Sequence, residues 1–207
     1  MTDRPIIFSA PMVNALRAGR KTQTRRLAWS PGKYLVGRSP RAVWQDAKPG
    51  DRLWVRESVR AEECVCDGFD GVRYAADQAW RTIDNSQAAA DAWLTLFHYR
   101  GRGRGRIGHS VPSIHMPRWV SRLTLLVTAV RIERLWDVSE EDAEAEGAPR
   151  LAVDDEGKFY EIAGGTHHWG FVGVWQHIHG TNSWDENPEV VAIAFQVQHR
   201  NIDKEGG

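Results

Sequence analysis

Long apolar runs are missing from this chain: no stretch of about 18 apolar residues exists, which predicts that nothing spans a membrane. Only two cysteines occur, Cys64 and Cys66, too few for a disulfide framework, so a reducing cytoplasm is the expected setting. The opening "MTDRPIIFSAPMV" has an early acid and no long apolar core, which argues against a secretory leader. No Gly-rich nucleotide loop, no H-E-x-x-H and no G-x-S-x-G is found. "CVC" has no second pair to complete a zinc site, and His177 and His179 would point apart on a helix, so neither a metal nor another cofactor is expected. Net charge is also missing, because 27 basic residues offset 27 acids.

That neutrality conceals two blocks. From Arg4 to Arg41 there are nine Lys or Arg and no acid, and five of them fall between Arg17 and Arg26. From Glu133 to Glu161 eleven acids face only Arg134, Arg150 and Lys158. Two readings stay open: a basic surface for phosphate or another anion, or two blocks that pair with each other. Ten tryptophans likewise read either as core or as rings that stack on a base.

Residues 4–9 read as a strand, and Pro11 suits the first turn of a helix with Met12, Val13 and Leu16 as its apolar stripe and Gly19 at its end. Residues 50–60 read as one strand, with Leu53, Val55, Glu57 and Val59 on one face and Trp54, Arg56 and Ser58 on the other. Glu57 on an apolar face is either paired with a buried arginine or functional. Residues 85–100 predict a helix capped by Asn85 or Ser86, running into "RGRGRGR" (100–106), a loop that is either a solvated insertion or a nucleic-acid contact. A long strand is expected over 123–135. A short acidic helix follows, with Ser139 and Asp142 at capping-box spacing and Gly147 as its stop, and then a polar insertion to about His167. Phe171, Trp175 and Ile178 predict a helix face ending at Gly180, and residues 190–198 a closing strand. Without a regular β-α-β rhythm, the expected fold is α+β, a mixed sheet curled into a small barrel with helices outside.

Four segments, "AGRKTQTRR", "PGDRLWVRE", "SEEDAEAEG" and "VVAIAFQV", together resemble the ASCH family of the PUA-like superfamily of small β-barrels that bind RNA or modified bases. With "PSIHMPRWVSRLTL" and "SWDENP", the chain looks like phage-associated ASCH proteins often labelled morphogenetic. The resemblance implies a single PUA-like domain over 1–207 with insertions at about 61–110 and 148–167. One branch of the family resembles an amidohydrolase that removes the acetyl group of N4-acetylcytidine with a Lys, a Thr and a Glu, which map onto Lys21, Thr24 and Glu146. Another branch is a ribonuclease, and others bind RNA without catalysis.

The chemistry of that trio is coherent. Thr24 would supply an attacking hydroxyl, and Lys21 would act as its base or hold the oxyanion. Glu146 would protonate the departing nitrogen or activate a water. The three also read as a helix-end charge, a strand residue and a solvated acid. Arg20, Arg25, Arg26, Trp54, Arg56, Glu57, His115, Arg118 and Trp119 complete the expected substrate-binding set, with Trp54 or Trp119 stacking on a base. The expected partner is a nucleoside, RNA or modified nucleic acid, and the alternative functions are a non-catalytic RNA or modified-DNA module of phage origin and a ribonuclease.

Overall fold

A computed structural model describes residues 1–29, 43–63, 70–99 and 110–204. Its strands and helices run β1 (Asp3–Ile7), α1 (Ala10–Arg17), β2 (Gln23–Leu27), β3 (Arg52–Arg56), β4 (Val59–Glu63), β5 (Asp70–Tyr74) and β6 (Trp80–Thr82). They continue with α2 (Gln87–Phe97), β7 (Thr124–Arg134), α3 (Glu140–Ala145), β8 (Leu151–Val153), β9 (Phe159–Glu161), α4 (His167–His179) and β10 (Glu189–Gln198). The class is α+β. None of the described helices is long and apolar enough to cross a membrane.

The chain divides into two compact units, each assembled from separated segments. The first holds Met1–Thr2, Ala15–Asp51 and Leu126–Val197. Here the strands neighbour one another in the order β7, β10, β2, and β10 pairs β2 antiparallel with Val191 opposite Arg26 and Ile193 opposite Thr24. Leu135, Val138, Ala143, Phe171, Trp175 and Val190 form the core between the strands and α3 and α4. Ser139 caps α3 by accepting from the Asp142 N–H at 3.1 Å, and three acids occupy the first turn, where the helix dipole favours them. The expected polar insertion contains the hairpin of β8 and β9. Ile178, expected on the buried face of α4 with Phe171 and Trp175, is instead 52% exposed, because it lies in the last turn, beyond that core.

The second unit holds Asp3–Asn14, Arg52–Leu125 and Gln198–Gly207. In it β1 pairs β3 in parallel, with Ile6 opposite Val55, and β4, β5 and β6 form an antiparallel sheet. Val59, Val72, Tyr74, Trp93, Met116 and Val120 make its core. The single strand expected over 50–60 is two, because the chain leaves the ladder at Glu57. That residue's N–H meets the Met116 sulfur at 3.1 Å, and its carboxylate is taken by Arg122, with Nε to Oε1 and Nη2 to Oε2 both 2.8 Å. The structural reading of Glu57 is the one observed. Leu53, Trp54 and Val55 are all buried, so strict alternation does not hold there.

The expected barrel is not closed: among the described residues the sheets are open.

Candidate functional site

The site is built where α1 ends. Gly19, at φ +71°, takes the left-handed conformation that suits glycine, and the N–H groups of Gly19 and Arg20 donate back to Leu16 and Ala15 at 3.1 and 2.9 Å. Lys21 then donates its N–H to the Ala15 carbonyl at 3.2 Å, and Thr22 donates to Ala145 at 2.8 Å, which ties this turn to the end of α3. The turn needed between Lys21 and Thr24 therefore precedes β2. Glu146 closes α3, and its backbone turns away at Gly147, φ +73°. A Cβ on Gly147 would stand 3.0 Å from the Ala15 Cβ and 3.1 Å from the Lys21 Cβ. Gly147→Ala should accordingly cost roughly 1–3 kcal/mol from the φ strain, read as a lowered denaturation midpoint.

Lys21 is 1% exposed and Glu146 9%. The Lys21 Nζ donates to the Glu146 carbonyl at 2.7 Å and to its Oε2 at 2.8 Å. Burial pulls the Lys21 ammonium below the usual lysine range, and the Glu146 carboxylate beside it pushes back. The contact sets a cationic donor directly beside a carboxylate that can accept a proton.

Arg25 was expected at an anion-facing rim; its side chain is 0% exposed and lies inside a network of charges. Its Nη2 reaches Glu133 Oε1 at 2.6 Å and Asp142 Oδ2 at 2.7 Å, its Nε reaches Glu133 Oε1 at 3.0 Å, and its Nη1 reaches Glu146 Oε1 at 3.4 Å. Arg131 adds bonds to Glu133 Oε2 at 2.6 Å and Asp142 Oδ2 at 2.5 Å, while Gln23 Nε2 donates to Asp142 Oδ1 at 3.1 Å. Lys21, Arg25 and Arg131 thus meet Glu133, Asp142 and Glu146, and Glu146 also draws on Arg26, so here the basic and acidic blocks of the sequence do pair. The two oxygens of Glu146 face different cations, Oε2 towards Lys21 and Oε1 towards Arg25, and this fixes the plane of its carboxylate.

Burial alone would raise the pKa of Asp142, but the hydrogen bonds from Arg131, Arg25 and Gln23 outweigh it and bring it down to about 2. A carboxyl with a depressed folded pKa stabilises above its unfolded value, near 3.8, and loses that contribution as pH falls towards about 2. Acid titration of native protein and Asp142→Asn should diverge above pH 4 and converge below about 2. Parallel curves would remove Asp142 from the network.

Gln23 and Arg25 both reach Asp142, so alternation along β2 places Thr24 and Arg26 on the opposite face. Thr24 is buried, opposite Ile193. Burial pulls the Arg26 guanidinium below its ordinary range, with Glu146 opposing. Arg20 is exposed. Lys21 and Glu146 are therefore brought together directly, while Thr24 lies on β2, on the face opposite Gln23 and Arg25. Gln23, Arg131, Glu133 and Asp142 were not anticipated; their signals were two charges at i, i+2 on one strand and an acid four residues before Glu146.

The remaining expected binding residues belong to the second unit. Arg56 lies over the Trp54 ring, 5.2 Å from its centre, and its Nε donates to the Met116 carbonyl at 3.1 Å. Glu57 is bound to Arg122. Arg118 Nη2 bridges Asp3 and Asp203, each at 2.6 Å, and the Trp119 carbonyl accepts from Arg81 at 2.9 Å. His115 is exposed, its ring 5.3 Å from that of Tyr99. Each is thus engaged with protein groups. Cys64, Cys66 and "RGRGRGR" lie outside the described residues. Among the described residues no His, Cys, Asp or Glu cluster could hold a metal ion.

No family model matches the chain, and neither a curated protein nor a solved structure matches it.

Proposed function

We propose that the chain is an ASCH, PUA-like protein that binds a nucleoside or modified base and hydrolyses the N4-acyl amide of modified cytidine. The observation that carries this reading is the buried contact between Lys21 and Glu146, 2.8 Å from Nζ to Oε2, at the two positions that the family resemblance names. In the reaction, a water attacks the acyl carbonyl carbon and gives its proton to the Glu146 carboxylate, while the Lys21 ammonium holds the tetrahedral oxyanion. The C–N bond then breaks, the proton passes from Glu146 to the cytosine N4, and acetate and cytidine leave. Arg25 positions Glu146 from its other oxygen. Water is the attacking group in this scheme, and the Thr24 hydroxyl, on the Arg26 face of β2, is the alternative. Thr24→Ala tests this choice: retained turnover supports the water route, and lost turnover assigns the attack to the Thr24 hydroxyl.

A second reading, a binding module without chemistry, has its own support. Lys21 is almost wholly buried, and Glu146 already spends both oxygens on Lys21 and Arg25. The two readings part when native protein is incubated with N4-acetylcytidine and the mixture is resolved for cytidine. Cytidine formation favours the hydrolase; binding without it favours the module. If neither occurs, both readings fall.

A further inference from the structure

The second unit carries a hollow of about 170 Å³ whose lining includes Arg60, Arg73, Tyr74, Gln78 and Ser110. The register of β4 and β5 places Arg60 directly opposite Arg73. Like charges facing each other across an antiparallel pair are destabilising, and here a single carboxylate offsets two cations. One carboxylate, Glu62, serves both arginines and does not line the hollow. Asp77, in the adjoining turn, is bound by Arg122 at 3.0 and 3.1 Å. The described lining therefore holds two cations and no acid. Val59 and Tyr74 also belong to its lining, but their side chains alternate away from Arg60 and Arg73 into the core, where the Tyr74 hydroxyl donates to the Val120 carbonyl at 2.7 Å.

Gln78 adds a second, independent sign. It sits at φ 59°, a conformation that glycine adopts without strain. Its N–H donates to Tyr74 at 2.9 Å, and its carbonyl accepts from Arg73 Nη1 at 2.9 Å, aiming that guanidinium. Glycine would make both backbone contacts more cheaply. What glutamine alone supplies is a side-chain amide, which donates one N–H to the Ala75 carbonyl at 3.2 Å and leaves the other at the edge of the hollow. Backbone strain kept at the rim of a cationic cavity is a mark of function.

We propose that this hollow is an oxyanion site that takes a phosphate group, with Arg60 and Arg73 as charged donors and the Gln78 amide and Ser110 hydroxyl as neutral ones. Beyond the nitrogens bound to Glu62 and to the Gln78 carbonyl, each guanidinium has one NH2 group to offer, and two such donors in register suit an anion with several oxygens spread in three dimensions. The space is several times the roughly 30 Å³ that one liquid water occupies, enough for a phosphate group with its nearest waters.

The test follows tryptophan emission, because the Arg73 Cζ stands 5.4 Å from the Trp80 ring centre. Native protein is titrated with inorganic phosphate and, separately, with a short single-stranded oligoribonucleotide. Phosphate should bind with a dissociation constant on the order of 1 mM, and Arg60→Ala should weaken it about tenfold. Gln78→Gly should raise the melting temperature and still weaken phosphate binding, a combination that a purely structural turn would not produce. Tighter oligoribonucleotide binding that phosphate displaces would identify the source as a nucleic-acid backbone. Phosphate binding without it would identify a small phosphate ester or the free ion. No emission change with either probe, or phosphate affinity unchanged in both Arg60→Ala and Gln78→Gly, overturns the site.

Discussion

Replacing Arg25 with alanine should lower the unfolding free energy by about 3–5 kcal/mol, a large part of the roughly 5–15 kcal/mol that holds a domain together. The guanidinium is wholly buried and bonds to Glu133, Asp142 and Glu146, so its removal leaves the buried Glu146 and the half-buried Glu133 and Asp142 each short of a partner. Arg25→Lys should recover only part of the loss, because an ammonium cannot reproduce the fork that spans Glu133 and Asp142. Arg131 touches two of the same carboxylates, but its side chain is 44% exposed, and Arg131→Ala should cost less than about 1 kcal/mol. Denaturant midpoints at constant slope give this ranking directly. Equal losses at Arg25 and Arg131 would mean that burial does not decide the worth of these pairs.

Much of the fold was legible because local rules were obeyed. Pro11 in the first turn and Gly19 after it frame α1, Ser86 and Ser139 cap α2 and α3, and long apolar β-branched runs mark β7 and β10. The strands β5 and β6 were missed because "DGVRY" and "WRT" are short, polar and irregular in period. Their strand state comes from pairing with β4, which no local window contains. Barrel closure was expected from the irregular order of elements as well as from the resemblance, yet it depends on whether edge strands meet, and neither composition nor period encodes that. The break at Glu57 likewise depends on Met116 and Arg122, each about 60 residues away.

For the candidate site, the quoted motifs led to Lys21 and Glu146, which are 125 residues apart and in contact. The surrounding network was only half legible. Two complementary charge blocks were evident, but nothing in the sequence could match Arg25 with Glu133 and Asp142, 108 and 117 residues away, rather than leave it on an anion-facing rim. Thr24 shows the opposite limit. Its spacing from Lys21 was plain, but its face on β2 became readable only once Gln23 and Arg25 had been placed against Asp142.

The second large effect is on rate. A group that takes and returns a proton in the transition state contributes typically about 100- to 10,000-fold, so Glu146→Gln should lower the rate of acetate release by that much. The substitution keeps the size of the side chain and its reach to Lys21, so nucleoside affinity should change little. In the proposed hydrolysis Lys21 holds the oxyanion, so Lys21→Ala should likewise reduce kcat far more than it raises KM. A binding module would show the reverse pattern, affinity lost and no rate to lose.

The most direct measurement is the single-turnover rate of acetate release from N4-acetylcytidine by native protein and by Glu146→Gln, compared at a temperature where both are folded. Release by the native protein, and a loss of at least about 100-fold in the variant, is the predicted result. Equal release by the two proteins, or native protein that binds N4-acetylcytidine and never frees acetate, would contradict a catalytic role for the Lys21–Glu146 pair.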